Sequence, residues 1–331
     1  MTASPQITQK QNLKVAGLSL FALAMIIAAY FSPIWWVSLT APNYPVDAFP
    51  DGIRIHFHFD GVYNGCRIAG KGTRQATEIL EKDLDHSVER YNPITDAKKD
   101  LNKGAQGLDC VHEMNTINHY VGMFPIATGA PVEKPLAKFF FGFFAVMLLA
   151  FAVPKKKARL AVLAAGFAAV AAWMLVDQYV MGSLAKHVAD YMQEAGTFFK
   201  EPARIQVWGD NVLNISHMVI IGLIAVMAIV VVGVAKFRIF TLLLALVPAG
   251  LPVFFVITYS AWLWFFGHNL HPWGAFTVKP FMPTVFGEGK VAQFSTYSYP
   301  YYGYGLLVLA MLALLLAILI RRKQMNDGAV E

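Results

Sequence analysis

The chain has 331 residues, of which 56% are apolar and only 15% charged, and its mean hydropathy is +0.49. Soluble domains carry about 25% charged residues, so composition argues against a soluble globular protein and for an integral membrane protein. The net charge of +6, from 27 Lys+Arg against 21 Asp+Glu, reads as loop charge, and no nucleic-acid partner is expected.

A membrane crossing takes about 20 apolar residues, and six stretches qualify. The first, Leu13–Leu39, is too long for a signal-peptide core, and Trp35-Trp36 reads as its interface anchor. The others are Leu136–Val153, Leu160–Leu184, Ile215–Ala235, Ile239–Phe266 and Tyr304–Ile320. Asp177 in the third is costly in lipid and is expected to face other helices or emerge early. Lys10 and Lys14, the turn Lys155-Lys156-Lys157 with Arg159, the pair Lys236 and Arg238, and the run Arg321-Arg322-Lys323 all fall on one side of a six-span chain. The positive-inside rule assigns that side, with both termini, to the cytoplasm. The predicted fold class is an integral membrane α-helical protein with about six transmembrane helices and an extracytoplasmic α+β domain between the first two. Residues 1–39 form the N-terminus and first helix, and 40–135 the outer domain. Residues 136–331 form a five-helix region with outer loops at 185–214 and 267–303. There is no phosphate-cradling glycine loop, so the chain is not expected to hydrolyse ATP.

On this topology all nine histidines and both cysteines lie outside the cytoplasm or at the opposite membrane face. Ile53–Phe59 alternates strictly and predicts a strand, with Arg54, His56 and His58 on one face. Two imidazoles at i and i+2 can chelate one metal; the plainer alternative is a half-exposed strand with solvated histidines. Cys66 and Cys110 flank an apparent helix over Thr73–Arg90, with His86 off its apolar face. An oxidising compartment favours a disulfide between them over a thiolate ligand pair.

The segment from Cys110 to Met123 packs thiol, imidazole and thioether into fourteen residues. A helix over Asn115–Val121 would place His112, His119 and Met123 on one face. Soft sulfur donors select Cu(I), and Met114, His119 and Met123 are the leading ligand set, with His112, His56 and His58 as completing or secondary ligands. In the alternative, Met114 and Met123 fill core gaps and His119 is a hydrogen-bonded core histidine. Further on, His268, His271 and Met282 are candidate ligands, although a histidine at a helix end also caps carbonyls. His217, at the start of the fourth span, could face the same layer.

These residues carry a resemblance. Asn115-Thr-Ile-Asn-His-Tyr-Val-Gly-Met123 resembles the NxxNHYxGM signature of membrane proteins encoded beside nitrous oxide reductase genes. Pro33–Pro45 is similar to their opening, and Gly267-His-Asn-Leu-His-Pro272 with Phe294-Ser-Thr-Tyr-Ser-Tyr-Pro300 resembles their GHNLDP…NFxxYSYP region, except that His271 stands in place of the acid. The resemblance covers about a third of the chain and implies an accessory role in copper-enzyme maturation.

The leading expectation is a multi-pass protein of a bacterial inner membrane that binds copper, as Cu(I), on a periplasmic domain and passes it to a copper enzyme or a copper-trafficking partner. It is more an accessory protein than an enzyme. The alternatives are a subunit of a membrane copper monooxygenase or oxidase complex, and a metal-free scaffold that docks a periplasmic partner.

Overall fold

The computed structural model describes residues 5–42, 44, 46, 49–66, 109–125, 129–272, 274, 278–291 and 293–327. The helix expected over Thr73–Arg90, with His86, lies outside them. The chain divides into two compact units.

Unit 1 comprises Met1–Pro33, Ala130–Tyr259 and Tyr302–Glu331, and the regular structure among its described residues is all helical. Its helices are α1 (Pro5–Tyr30), α3 (Glu133–Ala152), α4 (Lys156–Leu175), α5 (Ser183–Phe198), α6 (Pro202–Lys236), α7 (Ile239–Ala249), the first half of α8 (Leu251–His268), and α9 (Tyr302–Asn326). Among the described residues, six helices are long and apolar enough to cross a membrane. Large apolar side chains point outward, Leu13 at 75%, Ile221 at 66% and Leu319 at 61% exposure. A water-soluble surface would not carry that many.

Two expected spans change shape for local reasons. The first helix stops at Tyr30 rather than Leu39. Pro33 disfavours helical backbone at Ser32, and the hydroxyl of Ser32 donates to the carbonyl of Ala28 instead. The fifth stretch is not one helix. Pro248, which has no N–H and crowds the preceding turn, and Gly250 divide it into α7 and α8. At 11 residues α7 reaches only about 16 Å, so α8 supplies the fifth candidate crossing. The segment 185–214, expected as a loop, holds α5 and the polar first turns of α6, with Arg204, Gln206 and Asp210. Helix α5 is amphipathic, burying Leu184, Val188, Tyr191 and Ala195 along one stripe.

Asp177 sits in a π-helical turn, Val176–Val180, that continues α4. The wider turn buries two consecutive polar residues, Asp177 and Gln178. Lys138 from α3 closes a 2.7 Å ion pair on Asp177, and Gln178 donates to its other oxygen at 2.6 Å. The carboxylate that looked costly is neutralised inside the bundle.

Unit 2 comprises Ile34–Gly129 and Ser260–Tyr301. Its centre is a five-stranded antiparallel sheet of β1 (Trp35–Thr40), β2 (Ile53–His58), β3 (Gly61–Asn64), β4 (Gly287–Val291) and β5 (Phe294–Pro300), in the order β3-β2-β1-β5-β4. Trp35–Thr40, expected at the end of the first span, is the central strand. Helix α2 (Cys110–Tyr120) starts on an Asp109 cap that accepts from the amides of Val111 and His112. It packs Met114 and Ile117 on Leu39, Ile53, Ile55 and Phe294. Cys66 and Cys110 are joined beside this core, with Cα atoms 6.1 Å apart.

The bridge spans 44 residues of chain, and a loop of that length corresponds to about 4 kcal/mol in the chain-entropy model. Cys66→Ser with Cys110→Ser is expected to lower stability by about 2–4 kcal/mol. Urea unfolding in detergent, followed by tryptophan fluorescence, checks this; an unchanged midpoint contradicts it.

Candidate functional site

Helix α2 ends in a Schellman arrangement. The amide of Met123 donates to the carbonyl of Asn118 at 2.8 Å, and that of Gly122 to the carbonyl of His119 at 2.9 Å. Gly122 takes φ +81°, the left-handed backbone such a stop requires. Met123 is therefore folded back beyond the helix, not carried on its face with His112 as the helical pattern predicted, and it is buried at 4% exposure.

A second segment meets this turn. The amide of His271 donates to the carbonyl of Gly122 at 2.7 Å. A Cβ on Gly122 would lie 2.4 Å from the carbonyl oxygen of His271, so only glycine admits the approach. His271 is buried at 4% exposure, edge-on to Phe124 at 6.4 Å. Burial first, and the neighbouring His271 imidazole second, hold His119 below the usual histidine pKa. A neutral imidazole is the form that binds metal. Two sequence blocks separated by well over a hundred residues thus meet, and they bring His119, Met123 and His271 to one junction.

The other candidates go elsewhere. Met114 is in the apolar core of unit 2 at 3% exposure, among Ile53, Ile55 and Cys110. His56 and His58 alternate with those isoleucines and lie on the opposite sheet face. The sheet therefore separates Met114 from His56 and His58, and the three do not form one ligand group. His268 is exposed, stacks on Trp264 at 4.5 Å, and bonds through Nδ1 to the carbonyl of the same residue at 2.8 Å. That is the capping alternative, and it leaves His268 apart from buried His271. Met282 is 44% exposed. His112 is half-buried in the first turn of α2. In unit 1, His217 stacks on Tyr179 at 5.6 Å and His187 bonds the carbonyl of Pro131 at 2.8 Å. Among the described residues, no three His, Cys, Asp or Glu side chains converge in a metal-holding group.

The face of β2 away from α2 carries a group that sequence reasoning missed. The Arg54 guanidinium lies 4.2 Å over the Trp36 ring and 5.6 Å from Tyr301, and His56 stacks on Tyr301 at 5.2 Å. Trp36 is opposite His56 in the β1–β2 register. Alternation in β2 was legible; the partner strand was hidden because Trp35–Thr40 read as membrane anchor. Burial, then the Arg54 charge, then His58 lower the His56 pKa to about 4. Tyr44 donates to Glu113 at 3.2 Å, and burial raises the Glu113 carboxyl above its ordinary range.

Two outcomes follow. Gly122→Ala forces both a Cβ clash and an unfavourable φ, and is expected to destabilise unit 2 by about 1–3 kcal/mol; a melting temperature equal to the parent's is the contrary result. The His56 pKa is lowered on folding, so its contribution to stability is intact above the unfolded value of 6.5 and fades as pH falls toward about 4. Thermal unfolding between those limits is expected to show a steeper acid-side loss in the parent than in His56→Gln; parallel curves contradict it. No protein-family model, curated protein or solved structure matches the chain, so the functional reading rests on the chemistry of this junction.

Proposed function

We propose that the chain is a multi-pass protein of a bacterial inner membrane that handles copper for the maturation of a periplasmic or membrane copper enzyme. Its resemblance to proteins encoded beside nitrous oxide reductase genes names the kind of enzyme. Copper is the cargo, held as Cu(I) by His119, Met123 and His271. Neutral imidazole and thioether are donors that suit this soft ion. The observation that supports the reading is the bond from the His271 amide to the Gly122 carbonyl, which joins the two motif blocks on which the resemblance rests. In this reading His271, where the pattern has an acid, supplies a second imidazole nitrogen. Transfer to a partner is by ligand exchange, with the half-buried His119 as the donor a competing ligand reaches first.

The sidedness in this reading comes from charge along the chain: in a six-span topology the basic turns at 155–159 and 236–238 and both termini share one side, which the positive-inside rule makes cytoplasmic. The segment 40–135 is then assigned to the periplasm, where the Cys66–Cys110 pair is at home.

A metal-free scaffold is the second reading. Burial of Met123 and His271 favours it, because the same contacts serve a purely structural clasp. Anaerobic Cu(I) titration of the purified full chain against a chromophoric competitor separates the two. His119→Ala with Met123→Ala is expected to weaken binding by at least the roughly 10–100-fold seen for lost metal-supporting groups. His271→Ala weakens it too, while Met114→Leu and His56→Gln leave it unchanged. Identical affinities for the parent and the double variant, with only the melting temperature lowered, select the scaffold.

A further inference from the structure

One end of unit 1 gathers positive charge around a cavity of about 200 Å3. Lys156 opens α4, Arg159 lies one turn further on, Lys236 closes α6, and Arg238 precedes α7. All four line the space. Arg159 is only 1% exposed. Its guanidinium donates to the carbonyls of Val153 and Pro154 and, at 3.0 Å, to the hydroxyl of Thr241. Arg159 is thus a fixed charge in the floor, and the exposed Lys156, Lys236 and Arg238 are the groups free to close on a ligand.

A second buried cation belongs to the same unit. Arg321 is 0% exposed and donates to Asn12, Gln324 and the carbonyl of Phe151. The Lys138–Asp177 ion pair does not involve either arginine or the three exposed cations, and among the described residues no carboxylate is paired with any of these five. Buried charge is expensive unless compensated. Dipoles of carbonyls and hydroxyls compensate part of it, but the net charge stays positive. The N-terminal turns of α4 and α7 and the C-terminal turns of α6 and α9 all border the cavity, so their helix dipoles oppose one another and the positive potential rests on the side chains.

We propose that this cavity binds a phosphate group, carried by an anionic phospholipid or free in solution. The volume is several times the roughly 30 Å3 of one water. Phosphate oxygens accept from the forked donors of Arg238 and the ammonium groups of Lys156 and Lys236. Val234 and Met325 form an apolar part of the wall, suited to the first methylenes of a lipid's acyl chains. Basic pockets between membrane helices commonly take such headgroups. The site is independent of copper handling and of which compartment this end faces.

The test uses the full chain in neutral detergent, with retention read by native mass spectrometry and stabilisation by thermal unfolding. The probes are phosphatidylglycerol, phosphatidylcholine and inorganic phosphate. Phosphatidylglycerol is expected to be retained and to raise the melting temperature more than phosphatidylcholine. Lys236→Gln with Arg238→Gln is expected to weaken retention by about 25-fold, about five-fold for each cation removed. Lys156→Gln alone weakens it by about five-fold. Lys157→Gln, an exposed neighbour outside the lining, leaves it unchanged. If inorganic phosphate alone gives the stabilisation that these variants abolish, the site stands and its ligand is free phosphate. Equal retention of both lipids with no variant-sensitive effect of phosphate overturns the proposal. So does an equal loss in Lys157→Gln, which would mark a diffuse charge effect.

Discussion

Strand β1 is hydrogen-bonded along both edges, to β2 on one side and β5 on the other, and the order of unit 2 depends on that. A central strand must pair both edges, because buried backbone groups left unpaired are costly. Its partners come from just downstream and from the far end of the chain, so the pairing draws the segment 260–301 into the unit that holds α2. Without β5 beside β1, nothing would carry His271 to Gly122. The register also sorts side chains. Leu39 pairs with Ile53 on the face covered by α2, and Trp36 pairs with His56 on the other. A slip of one residue would exchange the faces and put Arg54 and His56 into an apolar core.

That sorting decides which soft donors can act together. Met114 and Met123 look equivalent in a motif, yet they occupy different environments. Met114 faces the sheet from the middle of α2 and touches the core that Cys110 helps to build. Met123 follows a glycine in left-handed backbone and is turned out of the helical repeat. A thioether packed against isoleucines on every side is a gap-filler. Met123 directly follows the glycine whose carbonyl accepts from the His271 amide, and a thioether there is chemically suited to a soft ion. The cost of holding imidazoles close together falls mainly on their charged forms, which is why the lowered pKa of His119 and the proximity of His271 belong to one arrangement.

The legible parts of the sequence were those written in local patterns. Six apolar stretches gave six crossing-competent helices, strict alternation over 53–59 gave β2, and two lone cysteines gave one bridge. Failures came where a local pattern had two meanings. Trp-Trp-Val after an apolar run reads equally well as the membrane end of a helix or as a strand. Pro33 was the signal that chose the strand, through its effect on Ser32. Pro248 and Gly250 likewise marked the break that hydropathy alone ran across. Of the candidate site, the donor types were visible but their grouping was not. The His271–Gly122 contact depends on β1–β5 pairing between residues far apart in the chain, and no local pattern encodes that.

Unit 1 deals with buried charge in two different ways, and the contrast is informative. Lys138 and Asp177 cancel at 2.7 Å, so a neutral solution was accessible to this helical scaffold. Arg159 and Arg321 are more deeply buried, yet they are held by carbonyls, amide oxygens and a hydroxyl. Those groups accept from the guanidinium ends without removing charge, and the Arg321 Nε is left without a partner. If stability alone governed this end, an acid within reach of either guanidinium would be the simpler compensation. Dipoles from Val153, Pro154 and Phe151 instead orient the arginines and fix the ends of their helices, while the positive field survives at the cavity lined by Lys156, Lys236 and Arg238. That retained field is the physical basis of the proposed phosphate site.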